Sequence, residues 1–253
     1  MRKRPFIMVA PNGARRGKAD HPALPLTIPE IVTCARDCHA AGAGALHLHV
    51  RDGQGQHSLD PGLYAEALAD LAETVPDLPV QITTEAAGIY DVAAQYDCLT
   101  TLRPAWASIA VRETARDPDL APKLYAACAE QGTRVQHILY DADDIALLAD
   151  WQARSIVQPG QDAVLFVLGR YATGQVSAPA DLAPFRAALP DVTDWMVCAF
   201  GPAEHACLLA AANAGGACRV GFENSLTRGD GTPHANNAAS VSDLMRQLEK
   251  AVQ

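Results

Sequence analysis

The feature of this sequence that most constrains its fold is a repeated alternation of short apolar runs with longer amphipathic stretches. The apolar, β-branched runs predict eight strands, and a stretch with helix start or stop signals follows each of them. The predicted strands cover 5–11, 45–51, 79–85, 106–112, 134–140, 163–170, 195–201 and 217–223. Because strands separated by helices pair in parallel through crossovers, the pattern predicts an α/β fold, the (β/α)8 barrel.

A doubly wound open sheet is the alternative architecture for such an alternation. It lacks support because no glycine-rich phosphate-binding turn follows the first predicted strand. No linker, repeat or low-complexity segment marks a boundary within the chain. Residues 1–253 are therefore predicted to form one barrel domain.

Composition excludes several classes of partner and indicates a compartment. The formal charge is −9, whereas nucleic-acid binding depends on a basic surface. No stretch approaches the roughly 20 apolar residues that a membrane span requires. Seven scattered cysteines without a closely spaced pair fit reduced thiols better than a disulfide framework. We expect a cytoplasmic protein whose partners are small molecules.

Histidines on the second predicted strand predict a metal site. His47 and His49 alternate with aliphatic residues in "ALHLHVRD", so both face the barrel interior if the aliphatic residues face the helices. Glu223 ends the eighth predicted strand, and both strands flank the first in a closed barrel. Two histidines and a carboxylate typically hold zinc or non-haem iron, and manganese or cobalt could substitute. The alternative is a pair of interior histidines that are satisfied by hydrogen bonds.

Further polar residues are predicted at the carboxyl ends of the strands, where barrels of this type place their active sites. Alternation places Thr83 and Glu85 on the inner face of the third strand, and Ser108 with Arg112 on that of the fourth. The predicted substrate-binding residues are Asn12, Arg15, Ser108, Arg112 and Arg170. Arginines near a metal in an acidic protein predict an anionic, oxygen-rich substrate, because guanidinium groups bind carboxylates in a bidentate manner.

Over nearly its whole length the chain resembles the β-keto acid cleavage enzyme family. The resemblance is carried by "NGA", "ADHPALPLTIPEI", "AGAGALHLHVRDGQGQHSLD", "QITT", "FVLG" and "RVGFENSLTRGDGTPHANNAASV". It implies a zinc-dependent (β/α)8 barrel that converts a β-keto acid and acetyl-CoA into acetoacetate and the CoA ester of the shortened acid. It also implies a homo-oligomer, with a homotetramer as the expected state.

The resemblance also implies roles for individual residues. His47, His49 and Glu223 match the zinc ligands. Thr83 and Ser108 match hydroxyls near the substrate, and Arg219 matches an arginine paired with the catalytic acid/base. With Asn224, and with Glu85, which the strand alternation and not the resemblance singles out, the predicted catalytic residues are Arg219, Asn224, Glu85 and Thr83, and the predicted metal ligands are His47, His49 and Glu223.

Three departures from the family pattern shape the expected chemistry. Asn224 stands where aminohexanoate-cleaving members have the aspartate that serves as acid/base, and an amide cannot accept a proton at neutral pH. Glu85 is our candidate for its replacement. Arg15 and Ile138 stand where residues suited to a substrate amine would be acidic, so we expect a substrate with an anionic or neutral distal end. The segment "FGPAEHA" replaces a Gly-Arg-rich turn and leaves the CoA contacts open.

Two competing functions remain at this stage. An amidohydrolase-type metal hydrolase would place its paired histidines on the first strand, further histidines on the fifth and sixth, and an aspartate on the eighth. Here the pair lies on the second strand, the sixth has no histidine, and the eighth ends in Glu-Asn. A non-catalytic metal- or carboxylate-binding barrel is favoured by Asn224 and disfavoured by the complete metal triad with Arg219. Turnover discriminates between that binding role and an enzyme.

Overall fold

Eight short parallel strands close into a barrel within residues 4–171, 174 and 176–252, which the computed structural model of the chain describes. The barrel strands are β1 (Ile7–Val9), β2 (Ala45–Leu48), β5 (Val80–Thr83), β6 (Trp106–Ala110), β7 (Arg134–Leu139), β8 (Ala163–Leu168), β9 (Trp195–Ala199) and β10 (Ala217–Val220). Strands β3 (Val50–Arg51) and β4 (His57–Ser58) form a small antiparallel hairpin. β1 pairs with both β2 and β10, which confirms the predicted closure.

Helices follow the barrel strands and cover the barrel. They are α1 (Ile28–Ala40), α2 (Pro61–Thr74), α3 (Val92–Leu102), α4 (Val111–Thr114), α5 (Ala121–Gln131), α6 (Ala142–Ala153), α7 (Leu182–Ala188), α8 (Glu204–Asn213) and α9 (Asn237–Val252). The predicted capping box at the start of α1 is present, since Thr27 and Glu30 each accept the other's backbone N–H. Within the described ranges, no helix is long and apolar enough to cross a membrane.

Two apolar layers hold the barrel together. Leu46, Leu48 and Ile82 belong to the larger buried cluster between the strands and the helices. Met8 and Met196 belong to a smaller cluster inside the barrel. The aliphatic side chains of β2 therefore face the helices, which leaves the histidines of the same segment on the inner side, as the alternation predicts.

The strands end earlier than the sequence pattern suggests, and this moves one predicted site residue. β6 stops at Ala110 and the chain turns at once into α4, so Arg112 lies on a helix and not on the inner face of a strand. Its guanidinium donates to Asp144 and Asp141, which places it in an ion-pair cluster. The prediction that Arg112 shares an inward face with Ser108 is therefore wrong.

Candidate active site

The two histidines and the glutamate predicted to bind a metal come together at the mouth of the barrel. His47 Nε2 and His49 Nε2 lie 3.1 Å apart. Glu223 Oε2 lies 3.6 Å from the first nitrogen and 3.7 Å from the second. Ligand atoms bonded at about 2.0–2.1 Å to a tetrahedral zinc ion are about 3.3 Å apart, so the spacing fits a common divalent ion.

The protonation of these groups also fits a metal. Burial lowers the pKa of His47 to about 4 and that of His49 well below its usual value, so both rings are neutral. Burial alone would raise the pKa of the Glu223 carboxyl, but the charges of Arg219, His47, Arg170 and Arg16 together outweigh it, so the net shift is downward. Glu223 Oε2 is buried without a hydrogen-bond partner among the described residues. Two neutral imidazoles and an unpartnered carboxylate oxygen are the donor set that binds zinc.

A chain of amides orients the first ligand. His47 Nδ1 lies 2.8 Å from Gln81 Oε1, and Gln81 Nε2 donates to Gln136 Oε1 at 3.0 Å. When His47 Nδ1–H donates to the glutamine, its Nε2 lone pair faces the metal position. Such an outer hydrogen bond typically fixes the tautomer and orientation of a metal-binding histidine.

The loop after β1 is held against the same site by backbone acceptors. Arg51, the residue that follows the paired histidines in the alternation, donates to the carbonyl oxygens of Gly13, Ala14 and Arg16. Asn12 Nδ2 donates to the carbonyl oxygen of His49 at 3.2 Å. These hydrogen bonds hold the loop after β1 against the end of β2.

Gly13, in the loop after β1, packs directly against the side chain of Glu223, a candidate metal ligand. It has a φ of +62°, and a Cβ atom there would lie 2.6 Å from Glu223 Cγ. We expect Gly13→Ala to displace the carboxylate and to weaken zinc binding by about tenfold or more. Calorimetric zinc titration measures this, with Gly53→Ala as control because nothing lies within 4 Å of a Cβ there. Wild-type affinity in Gly13→Ala would contradict the expectation.

A cavity of about 270 Å³ opens beside the metal position. Its walls carry most of the predicted site residues, namely Asn12, Arg15, His47, Thr83, Glu85, Arg170, Arg219 and Glu223. Arg16 and Tyr140 also line it, and neither was singled out from the sequence as a site residue. Arg16 donates to the backbone oxygens of Phe222 and Asn224, a role that only the folded loop reveals.

Glu85 is a largely buried carboxyl group in the wall of the cavity. It is not one of the candidate metal ligands. Its Oε1 lies 3.8 Å from Arg15 Nη2 and 3.7 Å from Arg170 Nη2. Burial, and after it the charge of Glu223, raises the pKa of Glu85 to about 7. A carboxyl group that titrates near neutrality can both accept and return a proton at physiological pH.

Arg219 connects the cavity to the metal position. Its Nη2 donates to Glu223 Oε1 at 3.2 Å, while Nε and Nη1 are buried without hydrogen-bond partners in the described part of the chain. The guanidinium therefore holds unused donors at the cavity wall.

Four predicted site residues do not line the cavity. His49 is fully buried, and Arg112 is bound in its ion-pair cluster. Ser108 is buried next to Thr83 in register, and its Oγ lacks a hydrogen-bond partner among the described residues. Asn224 is buried and donates to Glu204 Oε1 and to the carbonyl oxygen of Arg219, both at 3.2 Å. The Asn224 amide therefore points toward Glu204 and the backbone of Arg219.

The chain is similar to known proteins over nearly its whole length. The sequence profile of the family described as beta-keto acid cleavage enzyme matches residues 5–252. A 3-oxoadipate:acetyl-CoA acetyltransferase of Cupriavidus necator is 27% identical, over 97% of this chain and 88% of the relative. A 3-keto-5-aminohexanoate cleavage enzyme of Fusobacterium nucleatum is 26% identical, over 97% of this chain and 92% of the relative.

Solved structures share the fold. A binary complex of ObcA with oxaloacetate matches with a TM-score of 0.70 and 16% identity over 91% of this chain, and this chain spans 64% of that one. A type I 3-dehydroquinate dehydratase from Clostridium difficile matches with a TM-score of 0.64 and 11% identity, over 98% of this chain and 93% of the other. These likenesses concern the barrel alone. The match over residues 5–252 shows that the chain belongs to the beta-keto acid cleavage enzyme family.

Proposed function

We propose that this protein uses zinc and acetyl-CoA to cleave a β-keto acid, giving acetoacetate and the CoA ester of the shortened acid. The observation that carries the proposal is the His47–His49–Glu223 group at a cavity walled by Arg15, Arg16, Arg170 and Arg219. A divalent ion held there would polarise the ketone and carboxylate oxygens of the substrate. The name of the Cupriavidus relative supports the use of acetyl-CoA, and the names of both relatives support a β-keto acid substrate.

The bond changes define what the side chains must do. A base removes a proton from the methylene carbon between the ketone and the carboxylate. That carbon then forms a bond to the acetyl carbonyl, and the CoA thiolate leaves. The thiolate attacks the original ketone carbon, the bond between that carbon and the methylene breaks, and the released carbon regains a proton. One group that first takes and then returns a proton therefore suffices.

Glu85 is the residue that we assign to this proton transfer. It lines the cavity, it has a pKa of about 7, and Arg15 and Arg170 flank its carboxyl group. Asn224 cannot serve as the base, because its side-chain amide donates to Glu204 and an amide does not accept a proton near neutral pH. Arg219 would orient the substrate carboxylate through its unpaired donors, and Thr83 Oγ1, which accepts the Glu85 N–H, would fix the strand end.

The other end of the substrate would face Arg15 and Arg170. Among the described residues neither guanidinium donates a hydrogen bond, because Glu85 Oε1 is too distant from both. Arg15 is 56% exposed at the rim, whereas Arg170 is 15% exposed and stacks over Phe200. Two guanidiniums with free donors suit a distal carboxylate. We therefore propose a keto-diacid such as 3-oxoadipate, the compound in the name of the Cupriavidus relative.

Charge reversal at the rim tests this specificity. Arg15→Glu is expected to lower kcat/KM for 3-oxoadipate by about 10- to 100-fold and to improve the relative use of 3-keto-5-aminohexanoate. The ratio of the two kcat/KM values is the measured quantity, because an altered Glu85 pKa would affect both substrates alike. Arg36→Glu on α1 is the control, since Arg36 is 60% exposed and lies outside the cavity. An unchanged ratio in Arg15→Glu would dismiss the distal-carboxylate assignment.

Product analysis across a panel of β-keto acids tests the function itself. With acetyl-CoA present, we expect acetoacetate and a new acyl-CoA to form in equal amounts and keto-diacids to react fastest. Zinc-loaded protein that turns over no member of the panel would favour the non-catalytic binding role. Membership of the cleavage family gives the amidohydrolase-type alternative no support. A single domain, a homotetramer and a cytoplasmic location stay predictions.

A further inference from the structure

Glu204 is a buried carboxyl group that the proposed reaction does not use. It is the first residue of α8 and is 1% exposed. Its Oε1 accepts the Gly221 N–H at 3.0 Å and Asn224 Nδ2 at 3.2 Å. Its Oε2 has no hydrogen-bond partner in the described part of the chain, and burial raises the pKa of Glu204 to about 8. A polar group with so costly an environment needs a compensating role.

The contacts of Glu204 surround the segment that carries a metal ligand. β10 ends at Val220, and the chain forms a tight turn in which Asn224 N–H donates to the Gly221 carbonyl at 2.8 Å. Glu204 binds the first and the last residue of this turn, while Glu223 lies within it. The turn is also tied to β1, because the Glu223 N–H donates to the Ala10 carbonyl at 3.0 Å.

The side-chain amide of Asn224 is the donor in both of its hydrogen bonds. Its Nδ2 donates to two oxygens, Glu204 Oε1 and the Arg219 carbonyl, while its Oδ1 is buried without a partner among the described residues. A carboxylate at position 224 would remove the N–H donors that now satisfy the Glu204 and Arg219 oxygens. A glutamine side chain at position 204 would supply the missing donor. Position 204 now supplies the acceptor and position 224 the donor. Two substitutions can exchange these roles.

We propose that Glu204 and Asn224 act together as positioning residues, which hold the Gly221–Asn224 turn so that Glu223 faces the two histidines beside Arg219. Glu204 acts from behind the turn and touches neither the cavity nor the proposed metal position. The inference rests on the proposed metal centre. It is independent of the proposed substrate and of turnover.

A polarity exchange tests the pair. Asn224→Asp alone is expected to weaken zinc binding by about tenfold or more, because buried acceptors then face one another. Adding Glu204→Gln is expected to restore the zinc Kd to within about threefold of wild type, because the introduced amide can donate to the new carboxylate. Glu204→Gln alone keeps one oxygen acceptor and is expected to have the smaller effect. Glu66→Gln on the exposed face of α2 is the matched control.

Calorimetric zinc titration and the Tm of the metal-free proteins are the measurements, so the result does not depend on activity. Recovery of affinity and Tm in the double variant supports the pair, as does a double variant that folds where Asn224→Asp does not. Wild-type zinc affinity in Asn224→Asp overturns the proposal. So does a double variant that recovers less than half of the lost affinity on a logarithmic scale or fails to fold. Failure of the proposed function would appear separately, as zinc-loaded wild-type protein without turnover.

Discussion

His49→Ala is expected to remove bound zinc and to lower kcat/KM by more than about 100-fold. Loss of an outer hydrogen bond to a metal ligand already costs roughly 10- to 100-fold, so loss of the ligand itself should cost more. The reason in this chain is geometric. His49 Nε2 lies 3.1 Å from His47 Nε2 and 3.7 Å from Glu223 Oε2, and its loss leaves two ligands.

Metal content by mass spectrometry and steady-state kinetics check this expectation together. His39→Ala is the matched control, because His39 is a half-buried histidine in the last turn of α1 whose Nδ1 contacts the Ala43 carbonyl. It should keep its zinc and its turnover. A His49→Ala protein that retains stoichiometric zinc at wild-type affinity would contradict the assigned ligand set.

Glu85→Gln is expected to lower kcat by about 10²- to 10⁴-fold while zinc content stays at the wild-type level. The amide keeps the size of the side chain but cannot exchange the proton that the reaction moves. In the wild-type protein the same group predicts a pH dependence. The base is active when deprotonated, so kcat/KM should rise with pH up to about 7 and level off above it.

The pH profile separates proton transfer from a structural effect. In Glu85→Gln, the rise through pH 7 should disappear from the residual activity. Glu66→Gln is the control, because Glu66 lies on the exposed face of α2 outside the cavity. Unchanged turnover in Glu85→Gln would remove this residue from the mechanism, and loss of zinc in that variant would indicate a structural role.

The barrel and the metal trio were predictable because both depend on short-range pattern and on closure. Alternation placed His47 and His49 on one side, since the aliphatic residues between them pack against the helices. Closure brought the end of β10 beside that of β2, with β1 between them. Membership of the family, shown by the match over residues 5–252, confirms the resemblance read from the motifs.

The alternation of side chains along a strand no longer predicts their direction where the backbone stops being extended. Glu223 was predicted to end the eighth strand, yet it lies on a turn after β10, because Gly221 adopts a φ of +142° that ends the strand. Arg112 was misplaced for the same reason, since α4 begins directly after β6. Strand ends depend on tertiary contacts that single-sequence periodicity does not contain.

The arrangement around the site also needed the folded chain. Asn224 and Glu204 are 20 positions apart and contact each other only because α8 begins beside the end of β10. The donors of Arg51 reach three carbonyl oxygens of the β1 loop, and the sequence shows no signal for them beyond an arginine on a polar face. Such contacts decide which polar residues face the cavity.

The fate of the acetyl group tests the central claim most directly. Incubation with acetyl-CoA carrying ¹³C in both acetyl carbons and with unlabelled 3-oxoadipate is followed by nuclear magnetic resonance of the products. The proposed bond changes predict that both labelled carbons appear as the ketone and methyl carbons of acetoacetate, and that the new acyl-CoA is unlabelled. Labelled acetyl groups that remain as acetyl-CoA or free acetate, with no labelled acetoacetate from any β-keto acid, would contradict the account.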